Sequence, residues 1–132
     1  MSANQIASPL ISIAAAQDGS AVAVDDQGNV YQAVPGAIPW TQVTGGLTSI
    51  SAASDGTVLG VNVTGVAGAV YQWNDGNFQT AYAGLPTTAQ MADISVASSS
   101  EVWALDTGGN AYQYSSGTWA TVGPPAMPTG AV

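Results

Sequence analysis

Three segments of this chain repeat one another, and that repetition limits the folds open to it more than any other feature. Residues 13–25, 50–62 and 94–106 align without a gap. Each segment runs through a Gly-containing turn to an aromatic–Gln pair: Tyr31-Gln32, Tyr71-Gln72 and Tyr112-Gln113. A further aromatic follows each pair, at Trp40, Phe78 and Trp119. The tyrosines recur about every 40 residues, a period that suits blades, helical pairs or long solenoid coils. Insertions fall between elements, at 63–68 in the second repeat and 86–92 before the third.

Residue types decide among these architectures. Helix formers at 3.6-residue spacing are missing, whereas Gly, Val, Thr and Ser dominate. Four short strands per repeat are predicted, in the first at 11–16, 21–24, 30–34 and 40–43. Hairpin punctuation stands between them: Asp18-Gly19, Gly28-Asn29, Asp55-Gly56, Asn74-Asp75-Gly76 and Ser116-Gly117. The second strand of each repeat, at 21–24, 58–61 and 102–105, is apolar on both faces. Such a strand needs cover on both sides, as in a sheet stacked between two others. Trp103 shares a repeat position with Val22 and Leu59, which makes it a core filler.

The repeats resemble the tectonin family of β-propellers. The family pattern is a Trp, then Val, Gly-Leu, Ile-Ser, an Asp-Gly turn, a strand ending in Asn or Asp, and a Gly before an aromatic. It is matched here by Trp40, Val43, Gly46-Leu47, Ile50-Ser51, Asp55-Gly56, Val58 to Asn62, and Val70-Tyr71-Gln72-Trp73. The third repeat carries Glu101 to Asp106, then Gly109-Asn110-Ala111-Tyr112. The resemblance implies an all-β propeller with three blades of four antiparallel strands, at about 9–44, 45–84 and 85–122, followed by a Pro-rich tail at 123–132. Three blades do not close a ring, because propellers typically have four to eight. Both ends of the repeat array lie at the same phase of the blade. Two chains would therefore complete six blades head to tail, and three chains nine, so a homodimer is expected.

Composition excludes much chemistry. The 132 residues include eight acids and no Lys, Arg or His, for a net charge of −8. Without a cation the chain cannot neutralise phosphates, so no nucleic-acid partner is expected. Nor is attraction to an anionic membrane, and no segment has the length of a membrane span. Cysteine is absent, which fits either redox compartment and removes disulfides and thiolate sites. No imidazole base, Ser-His-Asp arrangement, Schiff-base lysine or P-loop lysine can be assembled. A carboxylate pair could hydrolyse glycosides. However, Asp18, Asp25, Asp26, Asp55, Asp75, Asp93, Glu101 and Asp106 mostly fall in turns. No enzyme and no cofactor are expected. The apolar start of the chain lacks a basic leader region, so a cytoplasmic protein, or one released without a signal peptide, is expected. Asn62-Val63-Thr64 matches a glycosylation sequon of the kind that arises by chance.

The candidate site residues are aromatic and amide side chains. Trp73 and Tyr114 share a repeat position with Ala33, at a strand end beside a polar hairpin. Asn74, Asp75 and Asn77 form that hairpin in the second repeat. A ring beside small polar groups suits a sugar, whose CH face stacks while its hydroxyls hydrogen-bond. The competing reading is an aromatic that packs at a blade edge. Trp40 and Trp119, with Phe78, either pack between blades or stack on a ligand. Asp25, Asn62 and Asp106 coincide and fit Asx turns, with ligand contact as the alternative. The segment from Asp25 to Asn29 resembles a calcium loop but lacks its spacing and terminal Glu, so no metal is expected.

Tectonin-like propellers are commonly carbohydrate binders of innate defence, some recognising methylated sugars on bacterial or nematode glycans. The resemblance therefore implies a multivalent lectin whose weak sites act together. The alternative is a structural or protein-interaction propeller without a small ligand, including an engineered or fragmentary self-assembling one. The absence of Lys and Arg also leaves trypsin-like proteases nothing to cut, which would suit a defence protein.

Overall fold

The computed structural model describes residues 9–16, 19–34, 40–74 and 76–122. These residues form three separate four-stranded antiparallel sheets, each built from one repeat with its strands in sequence order. The first contains β1 (Leu10–Ala15), β2 (Ala21–Asp25), β3 (Asn29–Ala33) and β4 (Thr41–Gly46). The second contains β5 (Ser49–Ala52), β6 (Val58–Val61), β7 (Val70–Asn74) and β8 (Asn77–Ala81). The third contains β9 (Met91–Ser98), β10 (Glu101–Asp106), β11 (Ala111–Ser115) and β12 (Thr118–Thr121). The first sheet's strands lie within a few residues of their expected positions. Ser116 and Gly117 make the expected two-residue turn, with φ of 56° and 86° between the paired Ser115 and Thr118. Both central residues of such a turn need positive φ. Among the described residues no helix is long and apolar enough to cross a membrane.

The sheets stack face to face, with β5 packed on β1 on one side and on β9 on the other. Each sheet therefore runs outward from an inner first strand, as the blades of a propeller do. Two apolar seams hold the stack. Ala14, Val22, Val24 and Val30 of the first blade meet Leu47, Ile50 and Val58 of the second. Leu59, Val61 and Val70 of the second blade meet Met91, Ile94, Val96, Val102, Ala104 and Tyr112 of the third. Strand alternation sends Leu59 and Val61 one way and Val58 and Gly60 the other, which is why the middle blade must be apolar on both faces. At Gly60 even a methyl group would lie 2.7 Å from Leu47 Cδ1 and 3.2 Å from Ile50 Cγ2. A larger residue there would have to displace the Leu47 side chain.

Polar bonds reinforce the second seam near the inner strands. Ser49 Oγ donates to Asp93 Oδ1 at 2.8 Å, and the Val96 amide donates to Ser51 Oγ at 3.1 Å. At the turn end, Asp55 accepts from the amides of Thr57 and Ser99, at 3.0 and 2.8 Å. These bonds, the Ser99 amide first, hold the Asp55 carboxyl below its ordinary pKa.

The third blade departs from the expected two-sided cover. Trp103 and Leu105 are 40% and 41% exposed, whereas Leu59 and Val61 at the same repeat positions are 0% exposed. Trp103 is thus not a core filler within one chain: β10 buries Val102 and Ala104 against the second blade and leaves its other face open. The first blade has the complementary opening. Ile13 is 65% exposed, whereas its equivalents Ile50 and Ile94 are 7% and 5% exposed.

Candidate functional site

The turns between second and third strands are built around a buried carboxylate in the first and third blades. Asp25 Oδ1 accepts from the amides of Gln27 and Asn29, both at 2.9 Å. Its Oδ2 accepts from Asn29 Nδ2 at 3.0 Å and from the Tyr31 hydroxyl at 2.9 Å. Asp106 repeats this arrangement with the amides of Gly108 and Asn110, with Asn110 Nδ2 at 3.2 Å, and with the Tyr112 hydroxyl at 2.8 Å. Burial pushes both carboxyls upward, but the donors outweigh it and the net pKa lies below 3.8. The same contacts and burial raise Tyr31 and Tyr112 above 10.0. With four donors each, these aspartates are structural locks. The calcium-like segment at Asp25 directs its carboxylate to protein donors.

The second blade lacks this lock. Asn62 stands in place of the aspartate, and the insertion lengthens the path to Tyr71. Asn62 Oδ1 accepts instead from the Thr64 amide and hydroxyl, both at 3.1 Å. The inserted loop then packs on the segment before β9: the Gly68 amide donates to the Ala89 carbonyl at 2.8 Å. A Cβ on Gly68, where φ is +76°, would lie 2.6 Å from the Pro86 carbonyl oxygen. The two insertions thus meet and cover the second seam at this end of the blades.

Over the first seam, the same end is open. A cleft of about 430 Å³ lies between the Asp25–Gly28 turn, the Gly46–Thr48 connection and the Asn62–Thr64 loop. Asp26, Gln27, Thr48, Asn62 and Thr64 supply polar groups, with Ile11 and Leu47 as apolar wall. None of the aromatic candidates lines it.

Those candidates lie toward the opposite ends of the strands. Trp73 pairs across the hairpin with Phe78, ring centroids 5.1 Å apart edge to face, and packs with it against the first seam. Tyr114 and Trp119 pair likewise at 5.3 Å and pack on the second seam. Trp40 is half-buried beside the start of β4. Asn74 and Asn77 are exposed on their hairpin, and Asp75 lies outside the described residues. The fold thus brings Tyr114 and Trp119 together in one seam and places Trp73 in the other.

Tyr82 was missed by sequence reasoning. It follows β8 with φ of 56°, an outlier for a bulky side chain. Three contacts hold it there. Its hydroxyl donates to the Ser99 carbonyl at 2.6 Å, its carbonyl accepts from Trp119 Nε1 at 2.7 Å, and its ring meets Tyr114 edge to face at 4.8 Å. It clasps the second blade to the third. The available signal was an aromatic standing outside every repeated aromatic position.

The chain is similar to YCF48 from Cyanidioschyzon merolae, at 16% identity and a TM-score of 0.61 over 90% of this chain and 42% of that one. It is similar to YCF48 bound to D1 peptide, at 14% identity and a TM-score of 0.58 over 91% of this chain and 41% of that one. A catalytically inactive virginiamycin B lyase from Staphylococcus aureus with quinupristin gives 11% identity and a TM-score of 0.65, over 89% and 42%. These neighbours are β-propellers, and the chain spans about two fifths of their length. No curated protein matches. The tectonin domain profile matches residues 9–88, where Ile50-Ser51 and the Asp-Gly and Val-Tyr elements of the first two repeats lie. With three four-stranded blades and that match over more than half its length, the chain belongs to the tectonin domain family.

Proposed function

We propose that this protein is a glycan-binding propeller whose site is the cleft over the first seam. The observation that carries this reading is the composition of the cleft: hydroxyl, amide and carboxylate groups beside a short apolar wall. A volume of about 430 Å³ falls within the range of small-ligand sites. Uncharged polyhydroxylated ligands need such dense hydrogen bonding and no cation, which this chain lacks. Asn74 and Asn77, exposed on the hairpin at the other end of the second blade, would make a separate contact to a glycan. Family resemblance extends the proposal to defence lectins that recognise bacterial or nematode glycans, methylated ones included. No catalysis is proposed, because Asp25 and Asp106 are committed to turn donors.

A second reading is recognition of a peptide or protein, favoured by one neighbour having been solved with a peptide and by the packing of Trp73, Tyr114 and Trp119 against the seams. A broad glycan array with free-sugar competition separates the two. Binding that Gln27→Ala and Asp26→Ala abolish, with circular dichroism unchanged, supports the cleft. Clean negatives on the array, with capture of defined peptides, would replace the lectin reading by the second.

A further inference from the structure

The stack leaves one apolar face open on the first blade and one on the third. On the third blade, a recess of about 170 Å³ is lined by Asp93, Ile94, Ser95, Trp103, Ala104, Leu105 and Ala111. Trp103, Leu105 and Ala111 stand where the second blade has Leu59, Val61 and Val70. Those three residues form the seat that Ile94 occupies in the second seam. The recess is that same seat, repeated without its occupant. On the first blade, Ile13 is the repeat equivalent of Ile94, and it projects into solvent.

We infer that a second copy of this chain covers both faces, Ile13 of each copy entering the Trp103–Leu105 recess of the other. The ring then has six blades and a two-fold axis, and no apolar face remains open. A second copy brings both open faces in the phase at which they match. Polar groups agree with this pairing. The repeat position that joins Ser49 to Asp93 across the second seam would join Asp93 to Ser12 of the second copy. Ser95 repeats Ser51, which accepts the Val96 amide across that seam, and would meet the amide of Ala15. This inference is independent of what the clefts bind.

The absence of cysteine makes a direct test available. Ile13→Cys and Leu105→Cys are introduced into separate, differently tagged chains, co-expressed, and treated with a short bis-maleimide. Both positions are exposed in the single chain, so the blades should fold, as far-UV circular dichroism will verify. Head-to-tail closure predicts cross-linking between the two tagged chains and none between identical variants. Ala15→Cys with Trp103→Cys is the second pair if either variant folds poorly, because Ala15 is exposed and repeats Val96 of the second seam. Folded chains that fail to cross-link in both pairs overturn the inference. So does self-linking of Ile13→Cys, which would report a face-to-face dimer, or a native mass of three chains by light scattering.

Discussion

Ile94 and Ile13 hold the same place in the repeat and opposite places in the molecule. Ile94 sits in the second seam among Leu59, Val61 and Val70, whereas Ile13 lies largely in solvent on the outer face of the first blade. Val61 and Leu105 form a second such pair. The blade is therefore a unit that cannot hide its own apolar surface; each face is completed by the next blade, as in other repeat architectures. Position within the stack, and not residue type, decides whether a given side chain is core.

Substitutions at paired positions can break this comparison. The largest contrast is Val61→Asp against Leu105→Asp. The first places a charge in a sealed seam, and the cost of about 3–5 kcal/mol for an unpaired buried charge should leave no folded, assembled protein. The second falls on an open face, so circular dichroism should persist while the mass drops to that of one chain. Soluble, assembled Val61→Asp protein would contradict the placement of β6. Next in size, Ile94→Ala should lower stability in a denaturant titration by about 2–5 kcal/mol. Ile13→Ala should instead make the melting temperature depend more steeply on protein concentration.

The turn locks give a smaller effect with a defined pH signature. Asp106→Asn should cost about 1–3 kcal/mol at neutral pH, because it weakens the bonds from the Tyr112 hydroxyl and the Asn110 and Gly108 amides. The folded pKa of Asp106 is depressed, so its stabilisation is fully present above 3.8 and is lost as pH falls through the lower folded value. Acid titrations of the variant should be flatter in that window. Tyr112 is raised above 10.0, so its share is present below that value and is lost as pH climbs beyond it. The smallest change is Trp119→Phe, which removes the donor to the Tyr82 carbonyl and should cost about 1 kcal/mol.

The repeat, the strands and the hairpin turns were legible in the sequence because each rests on local chemistry: apolar four-residue runs, Gly at turns and Asx at strand ends. The inward direction of Trp73 was legible in principle. It lies two residues after Tyr71, so alternation puts both on the face toward the first blade, whereas the neighbouring hairpin suggested an outward aromatic. The Asp25 and Asp106 locks were half visible, since the acid and its tyrosine are six residues apart in both blades. What could not be read was the meeting of the two insertions through Gly68 and Ala89, or the Tyr82 clasp. Both depend on how far adjacent blades diverge, which no single repeat encodes. The cleft over the first seam depends on the same insertion, since Val63 and Thr64 form part of its wall.

Absolute mass by light scattering, over a concentration series of the unmodified chain, tests the account most directly. Unfinished seams predict a folded particle near twice the 13.1-kDa chain mass, dissociating only on dilution. A folded particle holding the mass of one chain throughout the series, its Ile13 and Trp103 faces bare, would contradict it.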